Sequence, residues 1–283
     1  MLKGILNEEL SISNDVNNLT LKIKSVIGDD YKRNNANPTL YKTIHHRLNL
    51  VVFFNKIVVT YNDMNIEILY HVLDTENEEL TKIYLSKFPS RTNNEKLHLT
   101  FYFVGDDDKI NWKIGAEHVQ HEVEHLFQLY KKEKPILSDE KMKEYNKLNS
   151  LTNSNDFYEQ VIGYTYYYYI KAERNAIING IYRYIIDANT NGEIVNPLQM
   201  IKDTQYYNNI QIIKKVINDN NHHLNLENKL LNYNKTLKSF LRIANRMVDE
   251  YTKAFGRLLY KVKKDIEEKN KDLLINHNGK LHI

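Results

Sequence analysis

The pattern of apolar and polar positions divides this chain into a strand-like stretch and a longer helical one. Residues 1–37 are polar and rich in asparagine, and they read as a loosely packed arm. From Leu48 short β-branched and aromatic runs take over. Leu50-Val51-Val52-Phe53-Phe54 and Ile57-Val58-Val59-Thr60-Tyr61 flank a possible turn at Asn55-Lys56, and Ile66 to Leu73 and Leu97 to Val104 read as further strands. The last of these alternates poorly, which suits a strand covered on both faces or lying at an edge. Gly105-Asp106-Asp107-Asp108 is a turn, and it lacks the further spaced ligands of a calcium loop. Ile110-Asn111-Trp112-Lys113-Ile114 alternates like one more short strand.

Helical spacing begins after Gly115. His118, His121, Glu122, His125 and Gln128 recur three and four residues apart, with Val119, Val123, Leu126 and Tyr130 forming a neighbouring apolar stripe. The spacing predicts an amphipathic helix whose polar stripe faces something other than bulk water, ended by Pro135. Asp139 to Asn149 reads as a short helix. A long helix is expected from about Asp156 to Ile186, with its best boundary downstream at Asp187 to Pro197. Beyond it the chain reads as wholly helical. Leu230, Leu237, Ala244, Tyr251 and Leu258 fall seven apart, as do Tyr233, Phe240, Met247 and Ala254, a repeat that allows a coiled-coil seam or a helical hairpin.

Composition narrows the classes. A formal charge of +3, from 39 basic and 36 acidic side chains, is too balanced to imply a nucleic-acid partner. The start lacks the apolar core of a signal peptide and no apolar run is long enough to span a bilayer, so a cytoplasmic protein without a membrane partner is expected. No cysteine is present, which leaves histidine and carboxylate as the strong metal ligands. Lysine, asparagine, isoleucine and tyrosine (21 residues) are abundant, as in products of AT-rich genomes, and this points to a bacterium or a phage.

Within the polar stripe stands His121-Glu122-Val123-Glu124-His125, a complete H-E-x-x-H. On a helix two residues four apart share a face, so both imidazoles reach one ion, and Glu122 stands beside them to take a proton from a metal-bound water. The bland alternative is a solvent-facing helix that carries two histidines. Gln128 and Lys131 stand where the longer metzincin motif needs glycine and histidine, so a third ligand must come from elsewhere. Glu173 is the strongest candidate, because Ala172, Ala176 and Gly180 lie four apart beside it and would let two helices approach closely. An ordinary surface glutamate is the alternative, and Glu159 and Asp187 are competitors. His118 lies on the motif's face as a group that orients a ligand or touches substrate, as a rival ligand, or as an exposed bystander. Tyr166 and Tyr169, seven and four residues before Glu173, are the members of the tyrosine run best placed to face the site. The pairs His45-His46 and His222-His223 read as surface residues.

Through H-E-x-x-H and the downstream Ala172-Glu173, residues 95 to 187 resemble the zincin metallopeptidases in their gluzincin-like arrangement. The chain is also similar to small metallopeptidase-like proteins encoded by phages. The resemblance implies an α+β fold with a small twisted sheet over the active-site helix, zinc held by His121, His125 and Glu173, and Glu122 as general base. It departs from the better-known pattern in having Ile177 where an acidic residue is usual. The expected organisation is an arm at 1–37, a catalytic domain at 38–190, a helical C-terminal region at 195–270 and a tail at 271–283. The expected function is hydrolysis of peptide or protein substrates, as an endopeptidase, with docking or self-association through the C-terminal helices. The alternative is a non-enzymatic structural or interaction protein, such as a virion component, with a vestigial or structural metal site.

Overall fold

Val16, Leu19, Ile23, Ile27 and Tyr31 fall three or four residues apart, the spacing that gathers apolar groups on one helical face. In the computed structural model Asn14–Asn35 form that helix, α1, and all five side chains are buried. The arm expected at 1–37 is therefore, over this stretch, a core helix. The structure describes residues 14–35, 51–74, 87–91, 97–105, 110, 112–130, 139–190 and 195–278. They fall into two compact units, one within Ser11–Glu133 and Tyr182–Asn191, the other within Lys134–Ile181 and Gly192–Ile283. The fold is mixed α and β, and mostly helical.

The first unit is built on a four-stranded sheet, β1 (Val51–Tyr61), β2 (Met64–Asp74), β3 (Lys87–Arg91) and β4 (Leu97–Gly105), in the order β1-β2-β4-β3. β1 is antiparallel to β2, β2 is parallel to β4, and β4 is antiparallel to β3. The turn expected at Asn55-Lys56 is absent, because β1 runs through it with Asn55 opposite Tyr70 and Lys56 opposite Leu69. The chain instead reverses at Asn62-Asp63, where Asn62 has φ 49°, a conformation asparagine tolerates better than most residues. β4 lies inside the sheet between β2 and β3, not at its edge.

Leu97, Leu99, Phe101 and Phe103 of β4 join Ile66, Ile68, Tyr70 and Val72 of β2 in one buried cluster with α1. Polar ties support the packing: Tyr70 Oη and Asn55 Nδ2 both donate to Asp30 Oδ2, at 2.5 and 2.7 Å. The strand expected at Ile110 to Ile114 is instead a helix start. Only Ile110 keeps an isolated bridge, and α2 (Trp112–Tyr130) begins two residues later. Trp112 packs edge-on against Phe103 at 5.0 Å, and Lys24 of α1 lies over its ring.

The second unit contains α3 (Asp139–Asn149), a 3-10 turn (Ser150–Asn153), α4 (Phe157–Tyr169), and the start of α5 (Lys171–Thr190). It continues with α6 (Pro197–Asp203), α7 (Gln205–Asn218), α8 (His223–Leu231) and α9 (Leu237–Asn278). α4 starts on Asp156, whose side chain accepts from the backbone N–H groups of Tyr158 and Glu159. Gly163 lets it lie against the 3-10 turn, since a Cβ there would meet Thr152 N at 2.4 Å. Pro197 occupies the first turn of α6 behind its cap Asn196.

The seven-residue spacing survives inside α9, where Phe240, Ala244, Met247, Tyr251, Ala254 and Leu258 are all buried. That face packs within the chain against α4, α6, α7 and α8. The described residues of 195–278 fall in one compact unit with those of 139–181, and α9 extends through residue 278. Among the described residues, no helix is long and apolar enough to cross a membrane.

Candidate metal centre

The helix α2 buries its apolar stripe, Val119, Val123, Leu126 and Phe127, in the core of the first unit, packing against α1, β3 and β4. His121 and His125 sit one turn apart on another face and are nevertheless buried, at 7% and 1% exposure, with Glu122 between them at 7%. Taking two imidazoles and a carboxylate out of water is costly unless they find partners. The Nε2 atoms of the two histidines converge to 3.1 Å. One shared proton or one cation satisfies such a pair. Nitrogen ligands held 2.0–2.1 Å from a tetrahedral ion stand about 3.3 Å apart, so the pair has the spacing an ion needs.

His125 Nδ1 lies 2.9 Å from Gln128 Oε1, and an Nδ1–H donated to that oxygen leaves Nε2 with its lone pair. This is the arrangement found where a histidine binds a metal through Nε2. Gln128 was legible on the helical stripe, three residues beyond His125, but not its role.

Among the described residues, one group of three or more potential ligands could hold a metal ion: His121, His125 and Glu173. Glu173 is half-buried in the first turn of α5. Its surroundings differ from the expectation of one long helix over 156–186. The chain breaks at Ile170, which has φ −68° and ψ 121°, so α4 and α5 are separate helices. Tyr167 and Glu173, six apart, would point about 120° away from each other on an unbroken helix. Across the break the Tyr167 phenol comes under the influence of the Glu173 charge. Burial first, and then the charge of Glu173, hold this phenol well above its ordinary pKa, so it remains a donor.

The break also removes the shared helical face expected for Tyr166, Tyr169 and Glu173. Tyr166 is buried against Tyr145 and Phe240, and its hydroxyl has no hydrogen-bond partner among the described residues. Tyr169 stacks on Tyr145 and lies under Arg246. Tyr167, which sequence spacing passed over, is the tyrosine that feels the charge of Glu173. No sequence signal marks the break, since Ile170 is neither glycine nor proline.

The competing ligands have other partners. Glu159 accepts from Ser154 Oγ at 2.6 Å and from Tyr233 Oη at 3.3 Å. Asp187 pairs with Lys24 and Arg183, and Arg183 also donates to Asn17. His222 Nδ1 meets Tyr158 Oη at 3.1 Å, and His223 Nε2 donates to the Ile217 carbonyl at 3.0 Å, so both serve the turn between α7 and α8. His118 falls on α2, but its side chain lies outside the described part of the structure, as do His45, His46 and the turn at 105–108 beyond Gly105. Comparison with family models, with curated proteins and with solved structures finds no match for this chain.

Proposed function

We propose that this chain is a zinc-dependent, zincin-like metallopeptidase whose ion is held by His121, His125 and Glu173. The observation that carries the reading is the convergence of two buried imidazole nitrogens to 3.1 Å beside a buried glutamate. The donor set is two nitrogens and one carboxylate oxygen with no cysteine in the chain, a combination that suits zinc in a catalytic setting. Such a set leaves a fourth position for water or substrate.

A bound zinc ion would polarise the scissile carbonyl and bring the pKa of water towards ~7. Glu122 accepts the proton of the attacking water and returns it to the leaving amine. Glu122 is buried next to His121 on the same helix, which places a carboxylate beside the histidine pair. The His pair orients the reacting groups, and the Gln128 bond keeps His125 in the tautomer that binds through Nε2. The peptide substrate is suggested by β3, a short strand at the margin of the described sheet, against which α2 packs. An extended peptide can add to such an edge by main-chain hydrogen bonds.

Glu122→Gln tests the reading, because the amide keeps the shape and removes the proton acceptor. Elemental analysis should find about one zinc per chain in both proteins, while hydrolysis of a peptide library falls by a factor of at least ~100 in the variant. Equal cleavage by both proteins overturns the mechanism. Stoichiometric zinc without cleavage by the wild type favours the non-enzymatic alternative, with a structural ion.

A further inference from the structure

We propose that Tyr158 is a second reactive centre of this protein, a nucleophile with His222 as its general base, and that it takes the acyl group of an activated ester. The set lies wholly in the second unit, uses none of the metal-centre residues and does not depend on that reading.

A phenol attacks a carbonyl as its proton leaves, so it needs a base in contact, and the base needs a group that holds it. Tyr158 Oη stands 3.1 Å from His222 Nδ1, within reach of a proton transfer. Asn225 Nδ2 donates to the same phenol oxygen at 3.0 Å, which leaves the phenol hydrogen for the imidazole. With Nδ1 accepting, the imidazole carries its own hydrogen on Nε2, the nitrogen 3.7 Å from Asp219 Oδ2. Asp219 is thus placed to hold the ring and to stabilise the imidazolium that forms when the proton moves.

Each member is fixed by backbone. Asp219 caps the 3-10 turn at Asn220–His222, accepting from Asn221 N–H at 3.0 Å, and His222 N–H donates to the Asp219 carbonyl at 3.0 Å. Tyr158 sits in the first turn of α4, where its N–H donates to Asp156 at 3.0 Å. Asn225 belongs to the first turn of α8, the end of a helix that favours negative charge, so the attacking oxygen meets a donor on a favourable dipole.

The surroundings select the electrophile. Tyr158, His222 and Asp219 are all partly open to solvent. Phe157 packs edge-on to Tyr158 with ring centroids 5.3 Å apart and is exposed, as is Leu224 beside Asn225. Lys229, the cation one turn beyond Asn225, is paired with Asp156 at 2.7 Å, and Asp219 is an anion. An uncharged ester suits this rim better than a phosphate. In the step a bond forms between Tyr158 Oη and the carbonyl carbon, and the bond from that carbon to the leaving oxygen breaks. The phenol proton passes to His222 Nδ1 and then to the leaving oxygen, giving an O-acyl tyrosine and a free alcohol.

Full-length protein is incubated with p-nitrophenyl acetate, and the acetyl groups are located and timed by peptide mass spectrometry. Tyr158 should acetylate roughly 100-fold faster than Tyr260, an exposed tyrosine of α9. His222→Gln keeps an acceptor for the phenol hydrogen but is no base. It should bring Tyr158 down to the Tyr260 rate, with the far-ultraviolet dichroism and thermal midpoint unchanged. Asp219→Asn keeps the acceptor for Asn221 N–H and loses the charge. It should slow Tyr158 several-fold in the wild-type background and not at all in His222→Gln, because Asp219 acts through that ring. Equal rates at Tyr158 and Tyr260 in the wild type, or an undiminished Tyr158 rate in His222→Gln, overturn the proposal. An Asp219→Asn effect that persists in His222→Gln overturns the role given to Asp219.

Discussion

Zinc should raise the thermal midpoint of this protein, by an amount that follows from how far the ligands are already assembled. The two imidazole nitrogens stand 3.1 Å apart, within about 0.2 Å of the separation a tetrahedral ion imposes. For the two histidines little of the binding energy is then spent on rearrangement. An ion that binds only the folded chain stabilises it by about 2.7 kcal/mol when its free concentration is a hundred times the dissociation constant. For domains of 150–250 residues each kcal/mol moves the midpoint by roughly 2–4 °C, which gives a rise of about 5–10 °C. Scanning calorimetry of metal-stripped protein, with and without buffered zinc, measures the shift directly. His125→Ala starts from a lower midpoint, because it empties a site that is 1% exposed, but zinc should no longer move it. The reasoning is refuted if zinc leaves the wild-type midpoint in place, or moves the His125→Ala midpoint equally.

Other consequences concern the scaffold. Asp187→Asn removes the shared partner of Lys24 and Arg183, whose side chains are only 15% and 8% exposed, and should cost about 3–5 kcal/mol in denaturant unfolding; a loss below about 1 kcal/mol would show that solvent screens the cluster. Gly163→Ala should destabilise by about 1–3 kcal/mol although alanine is the better helix former by about 1 kcal/mol, because its Cβ would meet Thr152 N at 2.4 Å and Leu151 C at 2.7 Å. Burial, and then the neighbouring Tyr145, push the Tyr166 phenol up to about 12. Its folded pKa lies above the unfolded value of 10.0, so its contribution is complete below pH 10 and is lost as the pH rises through 12. Tyr166→Phe should therefore lose less stability over that alkaline window than the wild type. At neutral pH it should match or exceed the wild type, since the hydroxyl it removes has no partner among the described residues.

The legible parts of this protein are those governed by short-range periodicity. The helix carrying His121, Glu122 and His125 follows from three- and four-residue spacing, and so does the facing of the two imidazoles. The helix at Asp139–Asn149 and the strands at Met64–Asp74 and Leu97–Gly105 were visible for the same reason. Helix α1 carried an equally regular apolar stripe, but its many asparagines hid it, and composition proved a poorer guide than spacing. Choices between equivalent local signals were not legible. Asn55-Lys56 and Asn62-Asp63 are both polar pairs between β-branched runs, and cross-strand pairing through Asn55–Tyr70 and Lys56–Leu69 selects the second as the turn. The break at Ile170 has no glycine or proline to announce it, and yet it brings Tyr167, and not Tyr166 or Tyr169, to Glu173. The α9 stripe showed that a partner surface was needed, while α4, α6, α7 and α8 of the same chain decided which surface that is. One helix, by its pitch alone, can aim two histidines at a common point. The place of a downstream carboxylate such as Glu173 depends on where distant backbone runs, and that is settled by packing.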